Sequence, residues 1–380
     1  MEIQLSAVKQ IENRAKQLPG AISLAQGTPS LSSHPLIRDA VIQALTANKV
    51  DKYSPVTGLP ELRQLFCQKL QLDCSAYDPE TEVIVTAGAL QALSASLLAL
   101  FQSGDEIIML TPCYPYYEKI IRMAKARPIA VPLREDQNWK LDVNQLKQKI
   151  TKRTKAVLIC SPNNPTGSVL TEKELLALGA LAQKHNFLLI LDDIYQNFYY
   201  GQKPLYTLHT QPQFKKHLLR IVSLSKDFAL SGWRIGFLHG DKEHICKIIP
   251  YHDNLINCAP VISQYAAIAA LTHEQTIIPA YQQIYKQRRQ LMGSYLESLK
   301  GYMNFVWPEG TYYFFPKILG VSDSTKLCFD ILEKAKVALV PGIDFGLGGE
   351  SHVRLCFGKS VTEIREGIKR LAHYFTSNSL

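Results

Sequence analysis

Residues 187–195 read Phe187-Leu188-Leu189-Ile190-Leu191-Asp192-Asp193-Ile194-Tyr195. Five consecutive apolar residues leave no wet face, so this is a strand buried on both sides, as in a parallel sheet covered by helices. The same texture recurs at 82–86, 106–110, 155–160, 220–224 and 235–239. Helical patterns separate the runs. One spans 88–101 with Leu90, Leu93, Leu97 and Phe101 at helical spacing, another spans 116–125, and a third runs from a Thr171/Glu174 capping box through His185. Strands alternating with helices predict an α/β fold with a mostly parallel sheet.

Beyond about residue 265 the texture changes. A long helical region passes through 281–300, an aromatic strand covers 312–315 and a helix lies around 325–336. Short strands follow at 337–340 and 352–357, and Ser360 with Glu363 forms the capping box of a final helix. The pattern predicts a large domain at 45–265 and a smaller α+β domain at 266–380. Segment 1–44 is too short to stand alone and is expected to pack on the small domain or on a partner subunit.

A chain of 380 residues buries a core without disulfides or structural metals. Its 46% hydrophobic and 20% charged residues exclude disordered and collagen-like classes. The eight cysteines are scattered without a CxxC pair, as expected of idle thiols in a cytoplasmic protein. Met1-Glu2-Ile3-Gln4 opens no signal-peptide pattern, and no apolar stretch approaches the roughly 18 residues of a membrane span. A net charge of +9 invites an anionic partner. The basic clusters at 152–155, 215–216 and 288–289 lack interleaved aromatics, which argues against nucleic acid and leaves an anionic cofactor or substrate.

Several chemistries find no support. There is no GxGxxG, HExxH or GxSxG, and Gly358-Lys359-Ser360 lacks the earlier glycine of a P-loop because Val353 stands there. Ligands of open α/β sheets bind at the carboxyl ends of strands, and four such turns are unusual here. Asp192 follows five apolar residues and is costly to bury unless paired, for instance with a protonated pyridine nitrogen. Tyr195 can donate to a phenolate oxygen, although the same pattern also describes a strand-end acid beside a surface tyrosine. Ser223-Leu224-Ser225-Lys226 precedes Gly232-Trp233-Arg234-Ile235-Gly236. Burial lowers the pKa of such a lysine, which suits a Schiff base, while two hydroxyls and a guanidinium suit a phosphate. Ser161-Pro162-Asn163-Asn164-Pro165-Thr166-Gly167 is a Pro/Asn turn whose amide side chain can also reach a ring oxygen. Thr86-Ala87-Gly88-Ala89 turns straight into a helix whose free N–H groups favour phosphate. One phosphorylated cofactor fits all four turns.

On these residues the chain resembles fold-type I pyridoxal-phosphate enzymes of the class I/II aminotransferase family over nearly its whole length. Residues 223–236 match the family's lysine signature at every defined position. The resemblance implies a large domain with a mostly parallel seven-stranded sheet. It implies Lys226 as the Schiff-base lysine, Asp192 at the pyridine nitrogen, and Asn164 and Tyr195 at the phenolate oxygen. Ser223, Ser225 and Arg234 take the phosphate, with backbone amides near Gly88 and Ala89, and Tyr114 stacks on the ring. Tyr53 matches a tyrosine that reaches the partner subunit's phosphate, Arg354 the group that binds the substrate α-carboxylate, and Gly27 a glycine beside the substrate, which Asn164 also contacts. The implied activity is ping-pong transfer of an amino group from an L-amino acid to a 2-oxo acid by a homodimer with shared active sites. No metal, nucleic acid or membrane is expected to take part.

The departures carry their own expectations. Asp193 stands where many relatives have Glu, and Cys113 precedes the stacking aromatic. His34, in Ser30-Leu31-Ser32-Ser33-His34-Pro35, falls in a region that often borders the substrate. Residues 256–264 hold no arginine to clamp a side-chain carboxylate, which weakens a strictly aspartate-specific reading. Tyr116, Trp307, Tyr312 and Tyr313 read either as pocket or as core. Because the cofactor supplies the carbanion chemistry, the alternative is a lyase or cyclase acting on a hydroxylated arginine-type amino acid, for which the His34 segment is the sole support. Intact Lys226, Asp192, Asn164 and Arg354 stand against a third reading, a basic binding protein on an inactive scaffold.

Overall fold

The computed structural model describes residues 7–72 and 76–377; Met1-Glu2-Ile3-Gln4 and one of the eight cysteines, Cys74, lie outside them. In chain order the first half forms α1 (Ala7–Gln17), β1 (Ile22–Ser23), α2 (Pro35–Thr46), α3 (Pro60–Leu72), β2 (Val83–Thr86), α4 (Ala89–Leu100), β3 (Glu106–Thr111), α5 (Tyr116–Met123), β4 (Arg127–Pro132), α6 (Val143–Lys149), β5 (Thr154–Cys160), α7 (Glu172–His185) and β6 (Leu188–Asp192). It continues with β7 (Leu218–Ser223), α8 (Leu224–Asp227), β8 (Gly236–Gly240), α9 (Lys242–Ile256), α10 (Val261–Thr272) and α11 (Glu274–Glu297). The remainder is β9 (Met303–Asn304), β10 (Tyr313–Phe314), β11 (Lys317–Ile318), α12 (Ser324–Ala335), β12 (Val337–Ala338), β13 (Val340–Pro341), β14 (Val353–Cys356) and α13 (Val361–Ser377).

Seven strands form one sheet in the order β2-β8-β7-β6-β5-β3-β4, parallel throughout except for β8. Every residue of β3, β6 and β7 is buried, the physical counterpart of their unbroken apolar sequences. Six of the seven strands coincide with the expected apolar runs. The seventh, β4, is Arg127-Pro128-Ile129-Ala130-Val131-Pro132 and escapes that criterion. It lies at the sheet edge, where one side makes no ladder and prolines and partly exposed residues are tolerated. Both expected capping boxes form: Thr171 with Glu174 at α7, and Ser360 with Glu363 before α13.

The parallel strands deliver residues 86–89, 112–114, 161–164, 192–195 and 223–226 to one edge of the sheet. The C-terminal elements complete this edge. β14, which carries Arg354, is the centre of an antiparallel β10-β14-β13 sheet. The N-terminal chain is stitched to the same region: β1 pairs in parallel with β12, Leu24 N–H donates to the Ala338 carbonyl at 3.0 Å, and Cys356 N–H donates to Leu24 at 2.7 Å. Helix α2 instead packs on α10. The expected boundary between 265 and 266 falls inside α10, which also packs on α3. No helix among the described residues is long and apolar enough to cross a membrane.

Candidate active site

The floor of the site is the end of β6. Asp192 is 5% exposed and accepts a hydrogen bond through Oδ2 from the phenol of Tyr117 on α5. Its Oδ1 is buried with no hydrogen-bond partner among the described residues. Burial pushes the carboxyl up to about 7, with Tyr117 pulling it back down and the neighbouring Asp193 adding to the rise. Successive residues of a strand face opposite ways, so Asp193 points to the other side, where Arg220 Nε donates to its Oδ2 at 2.5 Å.

Beside this floor, β7 runs into α8. The Ser223 hydroxyl caps the short helix by accepting from Ser225 N–H at 3.2 Å, and Lys226 emerges one residue later. Lys226 Nζ donates to the Gly27 carbonyl at 2.8 Å. Burial lowers its ammonium to about 8, and the nearby cations Arg354 and Arg234 add to the fall. Arg234 adopts a left-handed backbone (φ 52°, ψ 62°) and lays its guanidinium over the start of α4, where Nη2 donates to the Ala87 carbonyl at 3.4 Å. Gly88, with φ 82°, precedes α4 without a side-chain cap. A Cβ on Gly88 would come within 2.5 Å of Arg234 Nη2. The first-turn N–H groups of α4, the two serines and the guanidinium thus form an anion cradle that only glycine leaves open.

The opposite wall comes from the C-terminal region. Arg354 lies between the rings of Tyr313 (4.3 Å from its centroid) and Phe345 (4.9 Å). Its Nη1 donates to Asn164 Oδ1 at 2.9 Å and its Nη2 to the Ala25 carbonyl at 2.7 Å. Arg354 Nε is buried and unpartnered among the described residues. Tyr195 and Tyr313 share a hydrogen bond at 3.1 Å, and Tyr312 donates to the Gly27 carbonyl at 3.0 Å. Gly27 has no room for a side chain, since a Cβ would lie 2.0 Å from the Tyr313 hydroxyl.

Lys226, Asp192, Asn164, Tyr195, Ser223, Ser225, Arg234, Ala89, Tyr114, Gly27 and Arg354 therefore line one cavity of about 410 Å³, with Gly88 beneath Arg234. Tyr53 is not among them. It is 82% exposed and lines a separate groove with Lys52 and Cys258. His34 is a helix cap: its Nδ1 accepts from Leu36 N–H at the start of α2, and it does not line the cavity. Tyr116 and Tyr313 are pocket residues, whereas Tyr312 is fully buried behind the wall and Trp307 packs on Gly293. Sequence reasoning missed Tyr117, whose signal was its place three residues after Tyr114 at a helix start, and also Phe345, Lys9 and Lys119.

An unsatisfied buried acid, a depressed lysine and an anion cradle, all on one strand edge, fit a phosphorylated pyridine aldehyde. The comparisons agree. Residues 19–371 match the family described as Aminotransferase class I and II. The chain is 35% identical over 373 residues to the probable N-acetyl-LL-diaminopimelate aminotransferase of Bacillus subtilis, covering 97% of this chain and 93% of that protein. It is similar to the solved aspartate aminotransferase from Thermus thermophilus with maleate (TM-score 0.91, 31% identity, 97% of each chain). It is likewise similar to N-succinyldiaminopimelate aminotransferase from Mycobacterium tuberculosis (TM-score 0.92, 30% identity, 97% of each chain). With sequence and fold shared over nearly the full length, the chain belongs to the class I and II aminotransferase family and is a pyridoxal-phosphate-dependent aminotransferase of amino acids and 2-oxo acids.

Proposed function

We propose that this cavity carries out ping-pong amino transfer, with Lys226 as its covalent and proton-moving group. The observation that carries the assignment is the orphaned Asp192 Oδ1, a buried acceptor that a pyridinium N–H would satisfy. In this reading Asp192 holds that proton, Tyr195 and Asn164 flank the phenolate oxygen, and Tyr114 covers the ring. Ser223, Ser225, Arg234 and the N–H groups at Gly88 and Ala89 hold the phosphate. When bound, the cofactor supplies an electron-withdrawing ring that stabilises negative charge developing at the substrate Cα.

The remaining work falls to the chain. Arg354 takes the α-carboxylate through its unpartnered Nε and through Nη1, beside Asn164 and Gly27. Lys226 Nζ, with its ammonium lowered to about 8, is partly neutral near physiological pH and takes the Cα proton as a general base. The rings of Tyr313 and Phe345 exclude water from Arg354 and strengthen its hold on an anion.

We propose a homodimer in which Tyr53, so exposed here, reaches the partner's phosphate cradle. Cytoplasmic residence suits the seven free thiols among the described residues. For the division of labour we keep a cofactor-bearing unit at 45–265 and a smaller unit at 266–380, with the N-terminal segment docked on the latter through β1. Nothing in the comparisons favours the lyase alternative, and His34, its sole support, is occupied as a helix cap.

Replacing Lys226 by Ala tests the core assignment. The variant is expected to lose the visible absorbance of lysine-bound cofactor and all amino transfer between an amino acid and a 2-oxo acid. A normal spectrum overturns the assignment of Lys226. A wild-type enzyme that yields no new amino acid with any common donor overturns transamination itself.

A further inference from the structure

The charges lining the cavity do not balance. Five cations, Lys9, Lys119, Lys226, Arg234 and Arg354, face one carboxylate, Asp192. Arg234 serves the phosphate, Arg354 the α-carboxylate and Lys226 the covalent chemistry, and Asp192 pairs with a pyridinium. Lys9 and Lys119 are left over, and neither forms an ion pair among the described residues.

Both belong to one corner of the mouth. Asp344 Oδ2 accepts from Val8 N–H at 3.2 Å, which pins the first turn of α1 and places Lys9 beside the cavity. Asp344 in turn feels the charges of Lys119 and Arg354. Lys119 Nζ lies 5.4 Å from the centroid of the Tyr116 ring, one helical turn earlier on α5, and that ring also lines the cavity. Asp344 is shared between Lys119 and Arg354, so with Lys9 alongside this corner keeps excess positive charge beside an aromatic wall. That is the complement of a substrate whose side chain ends in an anion.

We propose that Lys119, assisted by Lys9, is the specificity-determining group that meets a second carboxylate at the far end of the amino acid or 2-oxo acid. The proposal rests on the aminotransferase reading, with Arg354 on the α-carboxylate. It is tested with the cofactor-loaded enzyme by comparing kcat/KM for 2-oxopentanedioate and 2-oxopentanoate, which differ in the distal carboxylate. Lys119→Met is expected to lower the ratio of the two at least tenfold and Lys9→Met to lower it less, while Lys119→Arg keeps it within about threefold. In the wild type, added salt should raise KM for the dicarboxylate more steeply than for the monocarboxylate, a readout independent of how any variant folds. An unchanged ratio in both Met variants, or equal salt dependence, overturns the proposal. Absence of amino transfer to either acid in the wild type is a different result and overturns the aminotransferase reading instead.

Discussion

Asp192 and Asp193 are chain neighbours at the end of one strand, 5% and 7% exposed, with the same functional group. They face opposite sides of the sheet and meet opposite circumstances. Asp193 is held by Arg220, whose Nη2 also donates to Gln196 Oε1. Asp192 has Tyr117 on one oxygen and nothing among the described residues on the other. A buried carboxylate with its cation is a structural element; one with an unpartnered oxygen, on a residue that lines a cavity, is stored unfavourable free energy that a cationic ligand relieves. The difference teaches that an unpartnered acid beside the cavity, rather than burial or residue type, marks a working acid; Asp227 also leaves Oδ1 unpartnered but does not line that cavity.

The largest effect that sharpens this contrast is on catalysis. Asp192→Asn is expected to lower kcat by about 10³-fold, the scale of losing one preorganised electrostatic partner of the reacting system. The cofactor-free variant should be at least as stable as wild type, because a buried unpaired carboxylate has gone. An active Asp192→Asn enzyme, measured by amino-group transfer, breaks the contrast at its functional end. Asp193→Asn should do the reverse. Arg220 loses its counter-ion in the interior, where breaking such a pair costs about 3 kcal/mol, near the low end because Gln196 remains bonded to it. Denaturant unfolding of the cofactor-free protein checks this. A wild-type midpoint for Asp193→Asn would mean that the pair is not structural.

The contrast was half visible in the sequence. An acid directly after an unbroken apolar strand marks Asp192 as costly, Lys226 and Asn164 stand in motifs dense enough to be picked out, and Arg354 is reached only through the family resemblance. The sheet was legible for the same reason, since its central strands are buried on both faces. What was not legible depends on contacts distant along the chain. Tyr117 reads as one more helix aromatic until α5 is laid against the end of β6. Strand β4, with a proline near each end, matches no buried-strand pattern because an edge does not require one. Nothing local sets Lys9 and Lys119 apart from other lysines; α1 and α5 bring them to the cavity mouth. His34 attracted notice by its neighbourhood, yet its ring is engaged locally by the backbone of α2. Local pattern identifies costly residues; only packing says what they wait for.

The unpartnered oxygen also predicts a pH dependence. Asp192 is raised from its ordinary 3.8 to about 7, so the contribution it makes to folding is fully present below pH 3.8 and is lost as pH rises through 7. Between pH 5 and 7 the cofactor-free wild type should therefore lose about 2 kcal/mol relative to Asp192→Asn. Asp227, raised to about 8 by burial, declines equally in both proteins and cancels from the difference. Loading with pyridoxal phosphate should remove the difference, because the ligand cation then keeps Asp192 ionised at little cost. Thermal melts of both proteins across this range, with and without cofactor, decide the matter. Parallel curves in the cofactor-free state would show that Asp192 is not held unpaired.

The smallest effect isolates the side-chain hydrogen bond that Tyr117 gives Asp192. Tyr117 donates to the ionised form of the carboxylate and so favours it; removing the phenol hydroxyl raises the carboxyl further above 7. An acid that binds its proton more tightly is a weaker counter-ion for a pyridinium. Tyr117→Phe should lower kcat by about tenfold, roughly 1.4 kcal/mol, with little change in KM, since Arg354 and the phosphate cradle are untouched. The ring itself packs against Tyr114 (centroids 5.5 Å apart), and phenylalanine keeps that contact, so stability loss alone cannot imitate the result. The decisive measurement is a double-mutant cycle with Asp192→Asn. If Tyr117 acts through Asp192, its tenfold effect on kcat disappears in the Asn background, a coupling of at least about 1 kcal/mol. If the two effects simply add, Tyr117 acts on ring packing and the electrostatic partnership is not what sets the rate.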